Sequence, residues 1–242
     1  MNKPRIQLIQ DEAPLDALQR CGGFYQSRYE KGIRKGLLVG YAGEYEPGMH
    51  YVGEVYANFA KAESFPRVLE SFCSKVNSQI PTSLLDEVDG FCGAPLGGLA
   101  TAYQLALLGN RRYSYPEKKV TKAAAGGQRE ESVLIFGRHE IEVGDDIIIV
   151  EDVVNNFTTT EDLIALIKKA GGRVRAIVAL LNRSADVDDL YHSTVGGAIP
   201  VISLERKKIM QYKQDDPYVA HDVAAGNIIW KPKSDWDRLI AS

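Results

Sequence analysis

Residues 147–163 read "IIIVEDVVNNFTTTEDL", and the reading of this stretch decides the fold. Four branched apolar residues, Ile147 to Val150, run into the adjacent acids Glu151 and Asp152. An unbroken apolar run fits a strand covered on both faces, as inside a parallel sheet. A polar turn, Asn155 to Thr159, follows. Then "TTTEDLIALIKKAGG" (158–172) carries Leu163, Leu166, Ile167 and Ala170 at helical spacing. Thr159 or Thr160 is the predicted N-cap, Glu161 and Asp162 suit the positive end of the helix, and Gly171–Gly172 close it. In open α/β sheets, ligands sit beyond the carboxyl ends of strands, and helix N-termini there attract anions. The turn's N–H groups and the Thr158 and Thr159 hydroxyls suit one phosphate. Two carboxylates repel a phosphate, but they suit sugar hydroxyls, a developing cation, or Mg²⁺ reached through water. Acids at strand ends and threonines at helix starts also serve plain capping, so this layout needs a second feature to become a site.

Working outward, strand-like and helix-like segments alternate from about residue 65. "FPRVLESFCSKVNSQI" (65–80) sets Val68, Leu69, Phe72 and Val76 near helical spacing, and Pro81 stops it. "VDGFCG" (88–93) is a short strand, and "GGLATAYQLALLG" (97–109) is a helix ending at Gly109. "RRYSY" (111–115), "SVLIF" (132–136), "RVRAIVALLN" (173–182) and "AIPVISL" (198–204) are further strands. Such alternation predicts an α/β fold with a doubly wound parallel sheet. Residues 22–60, rich in Gly and Tyr, and the polar segment 205–242, which holds both tryptophans, break the pattern. The expected organisation is an N-terminal segment 1–64, a core 65–205 and a C-terminal segment 206–242, with the two ends forming a small hood.

The chain of 242 residues, 45% hydrophobic and 25% charged, can build a sizeable core. A net charge of -3 gives no footing for nonspecific nucleic-acid binding. There is no apolar run long enough to span a membrane and no signal-peptide core, so a cytoplasmic protein is expected. Cys21, Cys73 and Cys92 form neither a disulfide framework nor a zinc spacing, and the four histidines are dispersed, so no protein-ligated metal is expected.

The opening stretch resembles the phosphoribosyl-pyrophosphate signature of the type I phosphoribosyltransferases, and four other segments resemble orotate phosphoribosyltransferases in particular. "YSYPEKKVTKAAAGGQ" (113–128) looks like that family's mobile catalytic loop. "GFCGAPLGGLATAYQLAL" (90–107) is similar to its pyrophosphate-side loop and helix, with Gly97 and Gly98 at the turn. "ALLNRS" (179–184) resembles the strand end whose arginine meets orotate, and "GMHYVGEVYANF" (48–59) the strand pair beneath the base.

The resemblance implies transfer of 5-phosphoribosyl from phosphoribosyl pyrophosphate to orotate or a similar base, with release of pyrophosphate. Glu151 and Asp152 would hold the ribose hydroxyls and stabilise an oxocarbenium-like sugar. Asn155, Asn156, Phe157, Thr158 and Thr159 would cradle the 5-phosphate. Lys118, Lys119 and Lys122 would meet pyrophosphate, Lys119 and Lys122 in catalytic roles. Closure of residues 117–131 would exclude water. In the family this loop reaches a neighbouring subunit, which implies a homodimer. Arg183 would face a carboxylate-bearing base, although a surface ion pair is the open alternative at that position. Mg²⁺ would arrive through the pyrophosphate oxygens.

The chain departs from the family at four positions. Phe157 stands where glycine is usual and Asn155 where threonine is. Ala124 stands where the loop histidine is expected, and Lys118 replaces an arginine and its bidentate geometry. A transferase for another base, or a non-catalytic homologue that binds phosphoribosyl pyrophosphate or a nucleotide, is the alternative these changes leave.

Overall fold

The computed structural model describes residues 6, 11–31, 33–122 and 131–241. The chain divides into two compact units, Pro66–Lys207 and the joined segments Met1–Phe65 and Lys208–Ser242.

The first unit is built on a six-stranded sheet. From edge to edge its strands are Leu190–Ser193, Gly197–Arg206, Arg173–Asn182, Asp146–Val154, Gly90–Gly93 and Arg112–Ser114. Neighbours are parallel except at the Leu190–Ser193 edge. Ile147, Ile148, Ile149 and Val150 are each no more than 2% exposed, the double burial that their unbroken run demands. Ile147 and Ile149 pack with Leu163, Ile164 and Ile167 of the helix Thr158–Lys169. Because side chains alternate along a strand, Ile148 and Val150 turn to the other face, the side of the helices Leu99–Gly109 and Pro66–Asn77.

The topology fixes one crevice. From Gly90–Gly93 the chain passes through the helix Leu99–Gly109 to Arg112–Ser114. From the adjacent Asp146–Val154 it passes through Thr158–Lys169 to Arg173–Asn182 in the opposite direction. The strand order reverses between these two central strands, and a doubly wound sheet opens its ligand crevice at that point.

Helix ends follow backbone chemistry. Gly171, at φ 95, closes Thr158–Lys169, its N–H donating to Lys168 O at 3.0 Å while that of Gly172 donates to Ile167 O at 3.0 Å. The helix starts earlier than its threonines predict: Phe157 takes the N-cap position, and no side chain caps it. The basic segment also differs from its reading as a loop. Glu117–Lys122 is a strand paired antiparallel with Glu131–Ile135, in a hairpin separate from the main sheet. Leu134 and Phe136 pack on the core cluster, and this apolar anchorage explains the extended structure beneath the charges. Periodicity also passes over the helix Thr82–Glu87 and the short edge strand Leu190–Ser193.

In the second unit, Leu38–Glu46 pairs antiparallel with Met49–Gly53, and Ile228–Ile229 adds a parallel strand on its other edge. Segments almost two hundred residues apart therefore share one small sheet. Tyr25, Val39, Tyr41, Ile229, Trp236 and Leu239 form a core beside it. The Arg34 side chain is 4% exposed. It pairs with Glu54 and, at 2.8 Å, with Asp222. Its guanidinium lies 5.0 Å from the Tyr29 ring centroid and 5.1 Å from that of Tyr218. Among the described residues no helix is long and apolar enough to cross a membrane.

Candidate active site

The crevice at the strand reversal is lined by the end of Asp146–Val154, the turn that follows it, and the turn 94–98 after the neighbouring strand. Glu151 and Asp152 are adjacent in a strand, so their side chains leave it on opposite sides. Glu151 continues the face of Ile147 and Ile149. It is 8% exposed and accepts the Thr160 hydroxyl at 3.3 Å. Burial, with the nearby Asp152 charge adding to it and the Thr160 bond opposing it, pushes its carboxyl up to about 8. Thr160, predicted as a cap, is instead the buried partner of this acid.

Asp152 faces the other way, toward Gly97. Its Oδ1 accepts the Val153 N–H at 2.9 Å. A Cβ added to Gly97 would lie 2.3 Å from Asp152 Cγ, and one added to Gly98 would lie 2.0 Å from Val150 O. Gly98 is therefore required by close approach to backbone, while Gly97 faces a side chain that a Cβ would displace. The Ala94 N–H donates to Val150 O at 2.9 Å and the Gly98 N–H to Ala94 O at 2.9 Å, which ties this turn to the acid-bearing strand.

The turn 155–157 leads into the helix. Thr158 and Thr159 are exposed, and the Thr158 N–H reaches Asn156 Oδ1 at 3.4 Å. The first N–H groups of a helix have no intrahelical acceptor, so this end can present donors to an anion. Phe157 adopts φ 58 and ψ 17, a left-handed conformation that bulky residues rarely take. Its ring avoids solvent: it is 3% exposed, joins the core cluster, and stacks on Tyr191 with centroids 4.5 Å apart and planes 9° apart.

Arg183 follows the strand Arg173–Asn182, and its N–H donates to Val154 O at 3.0 Å, which brings it beside the phosphate-type turn. At 7% exposure it is buried. Its loop is shaped by Asn182, whose amide nitrogen donates to Val187 O at 3.0 Å and Asp188 O at 2.8 Å.

The lysines lie on the hairpin, whose two strands pair outside the six-stranded sheet. Lys118 and Lys119 are exposed on the hairpin, cross-strand from Leu134 and Val133, and as strand neighbours they point to opposite faces. Only the backbone of Lys122 is described, and Ala124 lies outside the described residues. Among the described residues no group of three or more His, Cys, Asp or Glu side chains is arranged to hold a metal ion. Sequence reading gave Thr160 a capping role and missed Asn182 and Tyr191. Tyr191 sits in the polar stretch "DDLYHS" (188–193), where no period marks it.

No family model matches the chain. It is 27% identical over 136 residues to an orotate phosphoribosyltransferase of Caldicellulosiruptor bescii, a match covering 56% of this chain and 64% of that protein. It is 26% identical over 160 residues to the enzyme of the same name from Bartonella tribocorum, covering 66% of this chain and 74% of that one. Among solved structures, orotate phosphoribosyltransferase from Aeropyrum pernix superposes with a TM-score of 0.52 at 14% identity, covering 79% of this chain and 92% of that chain. The Leishmania donovani UMP synthase gives 0.50 at 14% identity, covering 92% of this chain and 40% of that chain. A likeness in sequence and a likeness in backbone thus meet on one family, and the chain has the type I phosphoribosyltransferase fold.

Proposed function

We propose that the protein is a phosphoribosyltransferase, a pentosyltransferase that moves 5-phosphoribosyl from phosphoribosyl pyrophosphate to a ring nitrogen of orotate or a similar acidic base. The observation that carries this reading is the crevice itself, where an acid pair straddles the strand end between a glycine turn and a helix N-terminus whose N-cap residue, Phe157, supplies no side-chain acceptor. The helix amides and the Thr158 and Thr159 hydroxyls would hold the 5-phosphate, and Asp152 and Glu151 the ribose hydroxyls. With its carboxyl near 8, Glu151 is mostly protonated at neutral pH, so it meets the sugar as a hydrogen-bonding group and adds no second full charge. Positive charge developing on the sugar as pyrophosphate departs would be met by the Asp152 carboxylate. The turn at Gly97 and Gly98, held close against the acid-bearing strand, would meet the pyrophosphate, and Arg183 would recognise the base carboxylate. Mg²⁺ would enter with the donor's pyrophosphate oxygens, whose charge it neutralises.

A homodimer is part of this reading. The helix Leu99–Gly109 is apolar on its outer side too, with Tyr103 56% and Leu107 67% exposed beside Leu96 at 81%. A second copy covering that face would also bring a second set of hairpin lysines to the assembly.

The test is calorimetry with phosphoribosyl pyrophosphate and Mg²⁺, followed by a panel of bases assayed for pyrophosphate release. Release with orotate supports the full reading, and release with another base alone redirects the acceptor. Donor binding without release from any base would favour a second reading, a non-catalytic homologue. The divergent directions of Lys118 and Lys119 speak for that alternative. An absence of donor binding would remove both.

A further inference from the structure

We propose that Phe157 and Tyr191 are positioning residues for the phosphate turn, their stacked rings holding a left-handed backbone where a glycine would otherwise be needed. This rests on the reading of residues 155–159 as the grip on the donor's 5-phosphate.

The geometry forms a closed circuit. Phe157, at φ 58, sends its ring into the core and onto Tyr191, 4.5 Å away at 9°. Tyr191 belongs to the antiparallel edge strand, opposite Ile199. Its hydroxyl donates to Glu161 Oε2 at 2.9 Å, and Glu161 Oε1 accepts the Thr194 N–H at 2.8 Å. Glu161 returns the circuit to its start, because its own N–H donates to Phe157 O at 2.8 Å. Burial pushes the Glu161 carboxyl up, but the bonds from Thr194, Tyr191 and Ser193 outweigh it and hold the group below its ordinary value. Turn, helix and edge strand are thus fastened at one point.

The consequence is mechanical. A glycine at φ 58 leaves that conformation freely, and a ligand must then order it. A ring seated in the core cannot leave without unpacking, so the Thr158 and Thr159 amides stay aimed before any ligand arrives. The side chain replaces permissiveness with fixation.

The test uses calorimetry on the full chain with two probes, ribose 5-phosphate and inorganic pyrophosphate with Mg²⁺. Tyr191 is half-buried, so its variants are the primary ones. Tyr191→Leu removes the flat partner and is expected to weaken ribose 5-phosphate roughly 5- to 20-fold while leaving pyrophosphate within about two-fold. Tyr191→Phe keeps the stack but gives up the hydroxyl's bond to Glu161, so it is expected to weaken ribose 5-phosphate clearly less than Tyr191→Leu and to leave pyrophosphate within about two-fold. Phe157→Gly, if it folds, should follow Tyr191→Leu, raising the donor KM with little change in kcat. Equal weakening of both probes by Tyr191→Leu would mean general damage and overturn the proposal. So would ribose 5-phosphate affinity unchanged in Tyr191→Leu, or lost as fully in Tyr191→Phe. Wild-type protein that takes up pyrophosphate but not ribose 5-phosphate would remove the assignment of the turn, and the stack's role with it.

Discussion

The carboxyl of Glu151 is pushed up to about 8 from an ordinary 4.5, chiefly by burial. A carboxyl raised in the folded state has no destabilising effect below its unfolded value, and an increasing one as pH climbs to its folded value. Between about 4.5 and about 8 the protein should therefore lose stability, on the order of a few kcal/mol in total. Glu151→Gln is expected to match wild type in thermal unfolding near pH 4.5 and to become the more stable of the two as pH approaches 8. A constant gap across that range would contradict the buried-acid account. For Asp152→Asn the expectation concerns rate: turnover falls strongly while the unfolding midpoint holds, and unchanged kinetics would take the acid out of the chemistry. Phe157 shows how a residue-level balance resolves. Its left-handed backbone costs roughly 1–2 kcal/mol. Full burial of a large apolar side chain contributes about 1.5–3 kcal/mol, and a ring stack about 0.5–1.5. The side chain wins.

Between residues and fold stand the turns, and two neighbouring glycines make different predictions. A methyl on Gly98 meets the Val150 carbonyl, a backbone atom that cannot step aside. A methyl on Gly97 meets the Asp152 carboxylate, which can rotate away. Gly98→Ala should therefore lower the unfolding free energy by about 1–3 kcal/mol or more, and Gly97→Ala by less, while Gly97→Ala loses pyrophosphate release through a displaced Asp152. The reverse ranking would show that the contacts relax otherwise. On the hairpin, Lys119→Ala should impair pyrophosphate-dependent chemistry more than binding of the nucleotide product, and equal losses would argue against its assigned role. The same scale explains what the sequence made legible. The strand 146–154, the closing Gly171 and the alternation of strand and helix are local patterns of burial and backbone freedom, and a single chain displays them. Thr160 on Glu151 and Phe157 on Tyr191 are pairings across the fold with no period to announce them. The departure from glycine at Phe157 was legible, and only the ring's destination shows how its left-handed backbone is held. Of the hairpin only the strand Glu117–Lys122 was misread: its run of charges carries no apolar period, and its extended form comes from pairing with the strand of Leu134, which the sequence did show.

In the whole molecule, the two units carry separate reporters. Trp230 and Trp236, the only tryptophans, both fall in the unit built from the chain's two ends. Arg34→Ala would leave Glu54 and Asp222 without their buried partner, a loss of roughly 3–5 kcal/mol. That loss should lower the midpoint of the tryptophan fluorescence transition ahead of the far-UV signal, to which the six-stranded sheet contributes. Coincident shifts would mean the units unfold as one. The shared sheet of Leu38–Val39 and Ile228–Ile229 also dictates an order of events on the ribosome. Residues 66–207 emerge complete while the early strand is still waiting for a partner encoded far downstream. The half that carries the crevice is therefore finished first. A message broken off before codon 228 would yield a ready crevice attached to an unfinished sheet, which is the kind of product a chaperone would hold or a protease remove.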